Sequence, residues 1–176
     1  MTNYRRTRLA GGTYFFTVAI AQRHLDLLVQ HVQHLKAAFR DEHQHAPFIN
    51  LALVVLPDQL HAIWRLPQED SDYSNRLRRI KAGFSRALPL GERVTASREM
   101  KGERGIWQRR FWEHTIQNDE DLRHHLDYIH FNPVKHGLVS RVSDWPHSTF
   151  HEYVRRGVYV RDWGGGEDVL NGDFGE

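Results

Sequence analysis

The first residues that can do chemistry lie in the second of two apolar stretches near the middle of the chain. Gln59 and His61 stand two positions apart in QLHAIWRLP, which the residue pattern predicts to be a strand. Side chains two apart in a strand share a face, so an amide oxygen and an imidazole nitrogen offer two donor atoms to a metal ion. A lone histidine in a strand is more often structural than a ligand, and both interpretations stay open.

A second group of polar side chains lies on a predicted helix over residues 118–132, with Asn118 as its N-cap. At about 100° per residue, Leu122, Leu126 and Ile129 form its core stripe. A polar stripe follows about a quarter-turn away, made of Asp121, His125, Tyr128 and Asn132.

This placement puts Tyr128 at the edge of the packed face, where a nucleophile has access to its substrate. A phenol has a reference pKa of about 10, so it attacks poorly unless a base or a metal helps. Asn132, one turn later, offers an amide oxygen. An amphipathic helix whose tyrosine and asparagine only flank the core explains the same pattern.

The composition narrows the class of protein. The chain has 176 residues, enough for one domain with a short appendage, and no cysteine, which excludes disulfides, thiolate metal sites and cysteine nucleophiles. Neither a signal peptide nor a membrane-spanning stretch is recognisable, so we expect a cytoplasmic protein. Residues 1–110 carry 18 Lys+Arg against 10 Asp+Glu, whereas residues 111–176 carry 6 against 12. The basic portion favours a polyanionic partner.

The elements that position these residues follow an α+β plan, an antiparallel sheet covered by helices. Strands are predicted at 13–21, 48–57, 60–67 and 111–116, and helices at 25–43, 71–88 and 118–132. Pro133 and Gly137 are expected to bound the last of these helices, and a smaller helix is expected near Ser143. Residues 89–106 are interpreted as an exposed loop. The main domain spans residues 1–163, and residues 164–176 form a Gly-rich, acidic tail.

Several separated segments, in order, resemble the REP-associated tyrosine transposases, relatives of the single-tyrosine HUH transposases. They are LVVLPDQLHAIWRLP, IWQRRFWEHTI, HHLDYIHFNPVKHGLV and SDWPHSTF. The resemblance runs from Tyr4 to Trp163, and YIHFNPVKHG is its most diagnostic stretch.

The resemblance implies a ferredoxin-like HUH endonuclease domain with Tyr128 as the catalytic nucleophile. It implies a metal ion, Mg²⁺ or Mn²⁺, held at the positions of Gln59, His61 and Asn132. It also implies cleavage of single-stranded DNA beside a REP-like hairpin with an adjacent tetranucleotide, through a 5′-phosphotyrosine and without a nucleotide cofactor. Relatives act as monomers or as homodimers.

Gln59 departs from the family pattern, which has a histidine on both sides of a hydrophobic residue. An amide oxygen suits a hard cation, but it would not sit where an imidazole nitrogen would, so weaker metal binding and slower cleavage are expected. The alternative function is a DNA-hairpin binding protein in which Gln59 has impaired or abolished cleavage. Asp121, His125 and His130 are alternative partners for proton transfer.

Basic and aromatic residues are the candidates for contact with DNA, because guanidinium groups suit phosphates and aromatic rings stack on unpaired bases. The predicted contacts are Tyr4, Arg5, Arg6, Arg8, Arg76, Arg79, Lys81, Arg109 and Arg110. Tyr14 and Trp64 are further candidates for stacking, and Trp107 for gripping a hairpin stem. For each of them, a packing or solvated role is the competing interpretation.

Overall fold

Four strands form one antiparallel sheet. The computed structural model describes residues 8–165, and its strands are β1 (Thr13–Ala19), β2 (Ile49–Val55), β3 (Gln59–Arg65) and β4 (Trp112–Thr115). Their order is β2-β3-β1-β4, with β3 antiparallel to both β1 and β2. Strands β1 and β2 are therefore parallel to each other with β3 between them, the split arrangement of a ferredoxin-like fold. The predicted α+β class is confirmed.

Six helices and one 3-10 turn accompany the sheet within the described residues. They are α1 (Leu27–Gln30), α2 (Val32–His45), α3 (Tyr73–Ala87), α4 (Ala96–Glu99), α5 (Asp119–Lys135), the 3-10 turn Val142–Asp144 and α6 (Phe150–Arg155). No helix in residues 8–165 has the length and apolar content needed to cross a membrane.

Helices α2 and α3 cover one face of the sheet. Phe16 and Trp64 from the strands pack there with Leu35 of α2 and with Leu77 and Phe84 of α3. These helical residues recur at the spacing of an amphipathic helix, which is why the periodicity of the sequence located both helices.

Helix α5 covers the opposite face. Phe15, Val54 and Ile63 from the strands form a second core with Tyr128 and Ile129 of α5. The alternation of side chains along a strand sends Phe15 and Phe16 into different cores. The candidate catalytic residues lie on the α5 side.

Several element boundaries differ from the sequence prediction. Pro133 lies inside α5, which continues to Lys135 and ends before Gly137, whose φ is +67°. A proline removes one backbone donor, but this costs little so close to the end of a helix. The predicted helix near Ser143 is a 3-10 turn, and α6 was not predicted.

Candidate catalytic site

His61 lies in the central strand, where both neighbouring strands fix its position. It pairs with Thr17 of β1 on one side and with Val54 of β2 on the other. The side chains of Thr17 and His61 share a hydrogen bond of 2.9 Å between Oγ1 and Nδ1. Since Nδ1 is used in this way, Nε2 is the nitrogen that a metal ion would take.

Helix α5 carries the predicted nucleophile and is fixed at its start by its cap. The side chain of Asn118 accepts a hydrogen bond of 2.9 Å from the backbone N–H of Asp121, as predicted for an N-cap. Three acids in the first turn suit the helix dipole. Its buried residues include His125, Tyr128 and Asn132, so much of the predicted polar stripe faces the sheet.

Tyr128 is fully buried, and the expectation that it lies at the edge of the packed face was wrong. Its ring meets His61 edge-on, with centroids 5.4 Å apart, and Phe15 at 5.9 Å. Lys135 Nζ lies 3.5 Å from the phenol oxygen and 4.8 Å from the ring centroid. The ammonium group can therefore stabilise negative charge that develops on this oxygen.

Gln59 is 1 % exposed and is held by a residue that the sequence did not single out. Its Oε1 accepts a hydrogen bond of 2.8 Å from Nη2 of Arg23, whose Nε donates to Asp58 at 2.6 Å. Arginine only donates, so this contact fixes the amide with its oxygen towards Arg23. Its Nε2 has no hydrogen-bond partner among residues 8–165.

The types of donor atom at two of the three predicted positions suit a divalent cation. His61 and Asn132 are both fully buried and lie on facing elements, β3 and α5. Imidazole nitrogen and amide oxygen are donors that Mn²⁺ and, for the oxygen, Mg²⁺ accept. The Gln59 oxygen already accepts a hydrogen bond from Arg23, and the positive charge of this guanidinium disfavours a cation at the same oxygen.

Two histidines share one carboxylate at the start of α5. His114 Nε2 and His125 Nδ1 lie 2.8 Å and 3.0 Å from different oxygens of Asp121, and the two rings stack at 4.6 Å. Burial opposes ionisation of Asp121, but the hydrogen bonds from His114 and from the N–H of Gln117 bring the pKa of this carboxyl below its usual range. Burial lowers the pKa of His125. The sequence did not identify His114, since its contact depends on strand register.

His130, the third alternative for proton transfer, lies against α6. Its ring packs against Tyr153 at 5.0 Å and Phe150 at 5.9 Å, and its Nε2 is 3.0 Å from Thr149 Oγ1. Burial, with a smaller contribution from the nearby His151, lowers the pKa of His130 to about 3. These contacts indicate a packing role, and among the three candidates Asp121 and His125 remain.

Arg76 and Arg79 of α3, both predicted to contact DNA, bind other parts of the protein. Arg76 is 3 % exposed and donates to the carboxylate of Asp70 and to three backbone carbonyls. Arg79 donates to both oxygens of the buried Glu42 at 2.7 Å. A guanidinium whose N–H groups already donate to oxygens within the protein has few donors left for a phosphate. The structure therefore corrects the prediction that Arg76 contacts DNA, since this side chain is buried and bound within the protein.

The remaining basic candidates are less enclosed. Lys81 Nζ donates to the carbonyl of Gln108 at 2.7 Å, and Arg109 pairs with the half-buried Glu103 at 2.8 Å. Arg8 and Arg110 are exposed. Tyr4, Arg5 and Arg6 lie outside the described residues.

The aromatic candidates within the described residues belong to the core. Tyr14 and Trp64 are fully buried, so the structure corrects their proposed stacking on bases. Trp107 is 5 % exposed, and its Nε1 donates to the carbonyl of Lys81 at 3.1 Å. Strand alternation predicted that Trp64 faces away from His61, but the sequence could not show that helices cover this face.

Comparison with known proteins places this architecture in a family. No protein-family model matches the chain. A REP-associated tyrosine transposase of Escherichia coli strain K12 is 47 % identical over 176 residues, covering 100 % of this chain and 98 % of the relative. A Haemophilus influenzae protein bearing the same family name is 44 % identical, covering 99 % of this chain and all of the relative. A solved structure of the REP-associated tyrosine transposase bound to a REP hairpin has a TM-score of 0.85 and 46 % identity, covering 100 % of this chain and 98 % of that one. The chain therefore belongs to the REP-associated tyrosine transposases.

Proposed function

We propose that this protein is a single-stranded DNA endonuclease and strand transferase that acts at REP-like hairpins through a covalent 5′-phosphotyrosine on Tyr128. The observation that carries the proposal is the edge-on contact between the rings of Tyr128 and His61, 5.4 Å apart, in the buried centre of one sheet face. A solved relative is bound to a REP hairpin, which supports a DNA hairpin as the partner of this chain.

The chemistry requires one bond to form and one to break at the scissile phosphorus. The phenol oxygen of Tyr128 attacks in line, and the bond from phosphorus to the 3′-oxygen of the preceding nucleotide breaks. The phenol proton passes to a base, for which Asp121 and His125 are candidates on the same helix, and the departing 3′-oxygen gains a proton. The phosphotyrosine keeps the bond energy, so a second 3′-hydroxyl can reverse the reaction and rejoin DNA.

We also propose that Lys135 controls access to the phenol. This side chain lies over the ring and the oxygen of Tyr128, and its four-carbon stem can move without shifting the helix. We infer that an incoming phosphate draws the ammonium group from the phenol to its own oxygens. The same residue then covers the nucleophile before binding and neutralises charge on the substrate afterwards.

A Mg²⁺ or Mn²⁺ ion is part of the proposal, held by His61 and Asn132 with position 59 as the third ligand position. Such an ion supplies charge neutralisation at the phosphate oxygens. The second candidate function is a hairpin-binding protein with impaired cleavage. The hydrogen bond from Arg23 to Gln59 favours it, since it places a positive charge at the oxygen that would ligate the ion.

The test is to incubate the protein with a single-stranded REP-like hairpin and its flanking tetranucleotide, with Mg²⁺ or Mn²⁺. A protein–DNA adduct that survives denaturing electrophoresis and is absent in Tyr128→Phe supports the enzyme. Tight binding with no adduct under either metal supports the hairpin binder. An adduct that persists in Tyr128→Phe contradicts the assignment of the nucleophile.

A further inference from the structure

A cavity of about 290 Å³ lies beside the predicted catalytic histidine. It is formed where β1 ends and where β3 and β4 begin, and its lining includes Thr17, Arg23, Gln59, Arg110 and Trp112. Thr17 is also the residue that holds the His61 ring. The cavity therefore adjoins the site at which the proposed reaction takes place, and its volume falls at the lower end of the range of small-ligand pockets.

Gln59 lines this cavity and has a buried donor without an acceptor. The residue is 1 % exposed, its oxygen is fixed towards the donor-only Arg23, and its Nε2 has no partner within the described part of the chain. A buried amide N–H₂ without an acceptor is costly. The missing group is consequently a hydrogen-bond acceptor, and a phosphate oxygen is an acceptor of this kind.

Arg23 gives the cavity its charge. Asp58 and Gln59 accept from its Nε and Nη2, so the guanidinium is oriented by two partners while other N–H groups of its fork remain for a ligand. Its side chain is 44 % exposed, and Arg110 also lines the cavity. Guanidinium groups bind phosphate oxygens with two parallel donors, and the flanking Trp112 offers a ring against which a base can stack.

We propose that Arg23 and Gln59 form an anion-binding pair that holds a phosphodiester of the single-stranded DNA next to the scissile position, and that Gln59 serves this pair instead of a metal ion. The proposal rests on the proposed function, because the ligand is the DNA substrate. In this proposal the residue that departs from the two-histidine pattern has a function of its own. The amide of Gln59 and the guanidinium of Arg23 bind a phosphate where the family pattern has a histidine that binds the metal.

Gln59→Glu is the first variant, and the two interpretations predict changes in two different quantities. A carboxylate is a better ligand for a hard cation than an amide, so a metal-binding role predicts tighter Mn²⁺ binding. A phosphate-binding role predicts weaker DNA binding, because the new charge repels the phosphate and neutralises Arg23. Affinity for the REP-like hairpin is measured by fluorescence anisotropy in EDTA, in a Tyr128→Phe background, and Mn²⁺ binding by electron paramagnetic resonance.

Arg23→Ala is the companion variant, since its partly exposed side chain can be removed without opening the core. We expect its affinity for DNA in EDTA to fall about tenfold, with the slope of log K against log salt reduced by about one. Arg156→Ala is the matched control, because Arg156 is 67 % exposed and pairs with Glu152 on its own helix. It should bind as the parent does. Gln59→Leu removes the donor without adding charge, and circular dichroism verifies that each variant is folded.

Two results would overturn the pair: DNA affinity unchanged in Arg23→Ala, or equal DNA affinity in Gln59→Leu, Gln59→Glu and their parent. Each titration is repeated with a single-stranded oligonucleotide that forms no hairpin. If the parent binds the oligonucleotide that forms no hairpin but does not bind the hairpin, the proposed function fails. The phosphate test can still be made with that oligonucleotide. If the parent binds neither DNA, both proposals fail. Loss of affinity in Arg23→Ala without any adduct in the cleavage assay would support the pair and refute the enzyme.

Discussion

Removing the guanidinium of Arg76 should lower the free energy of unfolding of the protein without weakening its binding to DNA. The group donates to Ala46, Pro47 and Asp72 carbonyls at 2.9 to 3.0 Å and to the carboxylate of Asp70 at 2.6 Å, and it is 3 % exposed. Asp70 is 32 % exposed and stays solvated, so the main cost is the loss of a buried donor to the carbonyls, about 1–3 kcal/mol. We expect Arg76→Ala to lower the free energy of unfolding by roughly this amount in urea titrations, since acceptors near the α2–α3 interface lose their donor.

Arg78→Ala is the control, since Arg78 is exposed on the same helix and donates only to Asn75 among the described residues. Its unfolding free energy should change by no more than about 0.5 kcal/mol. Below the unfolding transition, hairpin affinity of Arg76→Ala should equal that of wild type. Near-native stability together with a fall in DNA affinity and a shallower salt dependence would refute the structural role of Arg76.

Three further predictions concern an acid-sensitive pair, the cap of α5 and the metal position. Arg104 lowers the pKa of Glu92 to about 2. The pair therefore stabilises the fold above about pH 4.5, and this stabilisation is lost as the pH falls towards 2. In urea titrations across this range, the unfolding free energy of Glu92→Gln should not show this pH-dependent decrease. Asn118→Ala should cost about 1 kcal/mol in thermal unfolding and Asn118→Ser much less, and equal stabilities would refute the cap. Gln59→His should raise the cleavage rate and lower the Mn²⁺ concentration required, and no change in either would show that position 59 is not at the metal.

The sequence predicted most of the fold because its signals are local. The hairpin turn at Pro57 and Asp58, the periodicity of α2 and α3 and the cap at Asn118 depend on neighbours a few residues away. The lengthening of α5 beyond Pro133 and the existence of α6 were missed. Helix α6 is only six residues long and is stabilised by tertiary contacts, such as the bond from Tyr153 to the carbonyl of Leu51, which a short window of sequence does not contain.

The site was predicted less completely, since it depends on pairing between distant strands. Gln59 and His61 were placed on one face, but the strand register that sets Thr17 beside His61 could not be read from the chain. Arg23 has an ordinary loop context in the sequence, and its role appears only through contacts with Asp58 and Gln59. Arginine-rich α3 favoured DNA contact, but the sequence contains no information on which of its cations have internal partners.

The burial of Tyr128 bears on how the proposed nucleophile is controlled. A tyrosine packed between Phe15 and His61 cannot leave its position without disrupting the core, so its oxygen is held in one place at no cost during reaction. The same packing would prevent catalysis if the whole residue had to emerge. Only the oxygen must meet the phosphate, and a flexible lysine lies against that oxygen. In the proposed mechanism, a fixed ring with a movable neighbour combines precise positioning of the oxygen with access for the phosphate.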